Sequence, residues 1–171
     1  MKKYIALLLI LPILALIYLY LSDVKPLPTA KKIVTTPTEH TLSLLFIGDI
    51  MGHQGQINGA FDKKSKSYNY DSTFSKVTPI IKKYDFALAN LEVTLAGKPY
   101  SGYPSFSSPK SLAVAAKKSG IDVCLTANNH ACDKGAKGIK KTIKTLNDLN
   151  ITHTGTFSKI ADRNSTNLVI L

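Results

Sequence analysis

A chain of 171 residues has room for one domain at most, and 22 Lys and Arg against 11 Asp and Glu give it a formal net charge of +11. Its two cysteines, Cys124 and Cys132, form no CxxC pair and no metal-type spacing with His, which argues against a cysteine-based metal site. The aromatic residues do not interleave with the lysines in a stacking pattern, which argues against nucleic acid as a partner.

Lys2-Lys3 precede an apolar run over residues 4–21, interrupted only by Pro12. At about 1.5 Å rise per residue the run spans roughly 27 Å, close to the bilayer core of about 30 Å. It ends in Tyr18-Leu19-Tyr20-Leu21, bulky where signal cleavage needs small residues. Residues 1–21 are therefore expected to be an uncleaved transmembrane anchor, with a cleaved signal peptide as the rival reading. The leading lysines then stay in the cytoplasm and the rest of the chain lies outside the cell membrane. Residues 22–40 carry Pro26, Pro28 and Pro37 without apolar periodicity and read as a linker.

From residue 41 strand-like and helix-like segments alternate, which predicts an α/β domain over residues 41–171. Residues 42–47 form a short apolar strand. Phe74, Val77, Ile80 and Ile81 predict a helix over 73–83, with Pro79 as a blemish. Residues 85–89 are the second strand, 98–109 a long irregular loop, and 111–119 a helix closed by Gly120. Residues 121–127 are the third strand. Ile139, Ile143, Leu146 and Leu149 share one face of a helix over 134–149. Residues 151–156 and 167–171 read as further strands. A parallel strand at the end of the sequence lacks its following helix, so the domain is expected to be the first half of a larger one. Cys124 and Cys132 read as two buried small residues, because the extended segment between them opposes a disulfide.

Three of these strands end in polar groups: Asp49 after Gly48, then Asn90 and Glu92, then Asn128, Asn129 and His130. The carboxyl ends of α/β strands are where such sheets place ligands. Oxygen and nitrogen donors in this combination suit a hard or borderline divalent metal. Each residue also has a plainer role open to it. Asp49 can cap a turn, Asn128 and Asn129 can satisfy a tight turn, and Glu92 can be surface. His53 can start a helix, His153 can pack at a strand end, and Tyr100 and Tyr103 can pack in their loop.

Five segments occur in one order: Gly48-Asp49-Ile50-Met51-Gly52-His53, Asn90-Leu91-Glu92-Val93-Thr94-Leu95, Phe106-Ser107-Ser108-Pro109, Asn128-Asn129-His130 with Asp133 and Gly135, and His153-Thr154-Gly155-Thr156. With them the sequence resembles the CapA-type family of poly-gamma-glutamate capsule synthesis, which is related to the calcineurin-like metallophosphatases. The resemblance implies a four-layer α/β/β/α sandwich, of which residues 41–171 supply the amino-terminal half. It also implies divalent metal ions (Mn, Fe, Zn or Mg) held by Asp49, Asn90, Glu92 and Asn129. His130 becomes the proton donor, with Asp133 orienting its ring, and Asn128, His53 and His153 become substrate contacts. The sequence departs from the phosphatase pattern at Met51, where a His is expected, and in Asn-Leu-Glu on the second strand.

Three functions compete on this reading. The first is a metal-dependent hydrolase of phosphoester or amide bonds in the synthesis or export of an anionic cell-surface polymer, working with capsule synthase components. The second is a non-catalytic scaffold that holds the polymer on its lysines; the pairs Lys31-Lys32, Lys63-Lys64, Lys82-Lys83, Lys117-Lys118 and Lys140-Lys141 otherwise read as solvated surface. The third is a truncated, inactive remnant.

Overall fold

The branched and aromatic run Leu44-Leu45-Phe46-Ile47 suits an extended backbone, and it opens β1 (Leu44–Ile50). The chain then passes through α1 (Gln54–Ala60), a hairpin of β2 (Phe61–Asp62) and β3 (Ser67–Tyr68), and two short helices, α2 (Asp71–Phe74) and α3 (Thr78–Ile81). Next come β4 (Phe86–Leu91), α4 (Lys110–Ser119), β5 (Val123–Leu125), α5 (Gly135–Asp148), β6 (Thr152–Thr154) and α6 (Ile160–Ser165). The computed structural model describes residues 16–18, 22 and 39–165. Most of the apolar run at 4–21, most of the linker and the strand expected at 167–171 lie outside the described residues. Among the described residues no helix is long and apolar enough to cross a membrane. The described residues from His40 onward belong to one compact unit.

Four strands make one parallel sheet in the order β1-β4-β5-β6. The expected α/β architecture is present at this level. Alternation along β4 puts Ala87, Ala89 and Leu91 on one face, all buried. The two alanines let α4 come close, and it answers with Leu112, Ala113 and Ala116 in the same core. Cys124 of β5 and Leu146 of α5 complete that layer. The opposite face is dressed differently. Phe46 is 69% and Leu44 39% exposed there, while their neighbours Leu88 and Leu125 are half-buried. Val123, which pairs with Leu88 on this face, is fully buried, so among the described residues the second apolar face is open at the β1 edge and covered at Val123 of β5.

The register of β1 against β4 slips once. Leu45 pairs with Ala87 and Ile47 with Ala89, but Asp49 pairs with Asn90, leaving Gly48 as an extra residue. Without the slip Asp49 would share the core-facing side of Leu45 and Ile47. With it, Asp49 moves to the side of Asn90, and Ile50 takes the inward place beside Leu91. A bulge of this kind re-aims side chains at a strand end.

The helix expected over 73–83 is broken into α2 and α3. Pro79 sits in the first turn of α3, where its missing N–H costs no bond; one helix running through it would lose one. The buried stripe of α5 also differs from the expected one: Gly138, Thr142, Thr145 and Leu146 face inward, while Ile139 and Ile143 are half-buried. Thr142 Oγ1 explains this, because it donates to Gly138 O at 2.9 Å and accepts from Leu95 N at 2.9 Å. A hydroxyl with both bonds made is as well suited to the interior as a methyl group. At the other end of α5, Lys117 donates to Leu149 O and, at 3.2 Å, to Asn150 O.

The loop after β4 is anchored to the body. Thr94 Oγ1 donates to Phe106 O at 2.6 Å, and Ser101 and Ser107 bridge through both backbone groups. A Cβ on Gly102 would strike the backbone of His53 and Gln54, so only glycine lets this loop lie against the start of α1. Both cysteines are free. Cys124 is buried, and burial pushes its thiol up to about 12, whereas Cys132 is exposed, against the expectation that both are buried.

Gly48 can be tested in two ways. Among the described residues nothing lies within 4 Å of a Cβ placed on it, so Gly48→Ala is expected to change stability by less than about 1 kcal/mol. Deleting Gly48 removes the slip and turns Asp49 into the core, and is expected to abolish the cooperative unfolding transition seen by circular dichroism. A deletion variant that melts like the parent would show that the slip is dispensable.

Candidate functional site

Asp49, Asn90 and Glu92 meet because β1 and β4 end side by side. The side-chain amide of Asn90 donates from Nδ2 to Asp49 Oδ1 at 2.8 Å and to Glu92 Oε2 at 2.8 Å. Two carboxylates are thus gathered on one amide nitrogen. Desolvation, and then the Asp49 charge, push the Glu92 carboxyl above its ordinary range. Asn90 Oδ1 in turn accepts from Asn128 Nδ2 at 3.1 Å, and the same amide donates to Leu91 O at 3.0 Å. Asn128 comes just after β5, so the network crosses three neighbouring strand ends.

Beyond Asn128 the chain turns sharply. Asn128 Oδ1 accepts from His130 N at 3.1 Å, an Asx-type turn that fixes the His130 backbone. His130 Nδ1 lies 2.9 Å from Asp133 Oδ2, with the two side chains only 14% and 12% exposed. The same Asp133 oxygen accepts from Phe106 N at 2.6 Å. With Asp133 accepting at Nδ1, the proton stands on that nitrogen and Nε2 is left for a reacting group. The Phe106 ring holds the imidazole from the side. It meets His130 edge to face at 4.6 Å between centroids and His53 likewise at 5.0 Å.

Of the residues singled out from sequence, Asp49, Asn90, Glu92, Asn128, His130 and Asp133 share one hydrogen-bonded network. His53 opens α1, where its N–H donates to Gln56 Oε1 at 2.8 Å, and it reaches the network through Phe106. Asn129 is exposed and outside the network. His153 stands apart. It pairs in register with Cys124 and turns toward α5, where Nε2 meets Asn147 Oδ1 at 3.0 Å and Nδ1 is buried without a partner among the described residues. Sequence reasoning gives Phe106 no role of its own. Its one signal is its place in the Phe-Ser-Ser-Pro segment, yet it is wholly buried and touches both histidines.

Known proteins share this stretch of chain. The profile of the bacterial capsule synthesis protein PGA_cap family matches residues 43–170, which is most of the chain. The chain belongs to that family. Within the PGA_cap group it is 27% identical to the capsule biosynthesis protein CapA of Bacillus anthracis over 168 residues, covering 94% of this chain and 38% of that protein. It is 28% identical to the PGA biosynthesis protein CapA of Bacillus subtilis over 133 residues, covering 75% of this chain and 34% of that protein. The chain thus spans about a third of the length of these curated relatives.

The PGA_cap cluster fits a hard cation in part. Asp49 and Glu92 are carboxylates held together against their own repulsion, the donor type that oxygen-seeking divalent ions take. Among the described residues no three His, Cys, Asp or Glu side chains are grouped closely enough to hold a metal ion, so the charged donors stop at two.

Burial holds the His153 imidazole below its ordinary pKa. The fold therefore favours the neutral ring. That contribution is complete above the unfolded value of about 6.5 and is lost as pH falls through it toward the folded value. The melting temperature of the parent is expected to drop faster than that of His153→Gln between about pH 7 and pH 5. A gap between the two curves that stays constant with pH would show that His153 does not titrate with folding.

Proposed function

We propose that this PGA_cap chain acts on an anionic capsule-type polymer, through metal-assisted hydrolysis or transfer at a phosphoester or amide bond. The observation that carries the reading is the continuous network from the Asp49 and Glu92 carboxylates, through Asn90 and Asn128, to the His130–Asp133 pair. It sets a cation-seeking centre beside an imidazole with one nitrogen free. A divalent ion on Asp49 and Glu92 would polarise the bond attacked and make bound water more acidic. Asn90 keeps the two carboxylates together, and Asn128 fixes the turn that presents His130. Asp133 holds the Nδ1 proton, so Nε2 takes a proton from, or returns one to, the reacting group. Phe106 walls the ring on one side and limits water there.

The reading extends to the setting of the site. The apolar run at residues 4–21 serves as a membrane anchor that keeps the domain outside the cell, next to the synthase that makes the polymer. The open face of the sheet, with Phe46 69% exposed, is the place where a second sheet packs to give the four-layer sandwich. The second reading, a polymer-holding scaffold without turnover, is favoured by one observation: the net charge of +11.

In the complete protein, Asp49→Ala is expected to abolish polymer-directed turnover, and His130→Ala to lower it by about 10²- to 10⁴-fold, each with little change in melting temperature. Manganese at about 100 times its dissociation constant is expected to raise the melting temperature of the parent by several degrees, and that of Asp49→Asn far less. Turnover unchanged in both alanine variants would sink the enzymatic reading in favour of the scaffold.

A further inference from the structure

Lysines converge elsewhere with nothing to answer them. A hollow of about 370 Å³ is lined by Gly97 and Lys98 of the loop after β4, by Ser107, and by Lys134, Lys137 and Lys141 along α5. None of its lining residues is acidic. Lys134 donates to Ser105 Oγ at 2.8 Å; among the described residues the ammonium groups of Lys98, Lys137 and Lys141 make no hydrogen bond or ion pair. The single acid of α5, Asp148, is already paired with Lys144 at 2.8 Å. Like charges three and four positions apart on a helix repel and weaken it. Among the described residues that repulsion has no counterweight.

The shape of the hollow says what would relieve it. Lys134 to Lys141 rises about 10 Å along the helix, more than one phosphate or carboxylate can bridge. Gly97 stands at φ 88°, and a Cβ there would strike Lys141 Nζ, so the bare backbone is what gives that ammonium its place. A second hollow, of about 410 Å³, shares Lys98 and Pro99 with the first. Its other walls are different in kind: Gln54, Asn58, Tyr68 and Tyr100, with the two tyrosine rings edge to face at 5.1 Å. The two hollows meet at the Lys98-Pro99 dipeptide, one offering ammonium groups and the other phenols and two amides that are joined to each other, Gln54 Nε2 donating to Asn58 Oδ1 at 2.9 Å and leaving Asn58 Nδ2 to a ligand.

We propose that this joined groove binds a stretch of an amide-linked polycarboxylate. Its carboxylates lie on Lys98, Lys137 and Lys141, and its amide links lie along Gln54, Asn58 and the tyrosines. Amide side chains and phenols match peptide-type links, which a polyphosphate lacks. Arg163, the one arginine and the residue whose fork suits phosphate best, lines neither hollow. The inference rests on the anionic-polymer reading above, but it places the polymer on residues separate from the Asp49–His130 network.

The test is a titration of fluorescein-labelled poly-gamma-glutamate with the full chain, followed by fluorescence anisotropy at low and high salt. Lys137→Ala/Lys141→Ala is expected to bind about tenfold more weakly, the sum of two exposed charge contacts, and to show a flatter salt dependence. Lys137→Arg/Lys141→Arg keeps the charge and is expected to restore most of the affinity. Lys63→Ala/Lys64→Ala, outside both hollows, is expected to leave it unchanged. Equal weakening in the two alanine pairs would overturn the groove in favour of diffuse charge, and so would binding that survives loss of Lys137 and Lys141; in either case the proposed function stands. Polyphosphate of equal charge binding as tightly would overturn the polycarboxylate as occupant. A parent chain that binds no anionic polymer would overturn the groove and the proposed function together.

Discussion

The site depends on a one-residue slip. In a parallel pair with strict alternation, Asp49 would accompany Leu45 and Ile47 into the helix-covered core, where a carboxylate has no partner. The extra residue at Gly48 reverses the alternation for the last part of β1. Asp49 then meets Asn90, and Ile50 inherits the buried place. One glycine thus serves both the packing of the covered face and the gathering of polar groups on the other.

That placement gives rise to a network built mainly of amides. Asn90 and Asn128 each donate and accept, so they can join carboxylates to one another and to a backbone turn without adding charge. Asp133 finishes the network by serving two donors with one oxygen, the Phe106 N–H and the His130 ring. The long loop is therefore part of the site. Its Phe106 reaches into the core, touches both histidines, and ties the start of α1 to the turn before α5.

Much of this is legible in the sequence, for definable reasons. The strands declare themselves as short apolar runs, and the rule that ligand groups sit just past such strands singles out Asp49, Asn90, Glu92, Asn128 and His130, which do come together. Other features are not legible. The slip at Gly48 is silent, since a glycine in an apolar strand does not say which neighbour changes face. The first helix is hidden because α1 buries only Ile57 and so lacks a periodic stripe. The inward face of α5 looks as if it belongs to isoleucines because residue type hides the fact that Thr142 has both its hydrogen bonds made. His153 misleads for a related reason: a histidine in the last strand looks like a strand-end ligand until the register turns it toward α5.

The strand order β1-β4-β5-β6 keeps to the order of the chain, with only the separate β2–β3 hairpin intervening, so every strand of this sheet is laid beside the sheet strand made before it. No strand has to wait for a later one to be inserted between it and its neighbour. Each helix can settle as soon as its own pair of strands exists, and the sheet grows outward from one edge. Such a topology suits a polypeptide that emerges gradually, from a ribosome or from a pore, because the partly emerged chain is already a smaller version of the finished layer.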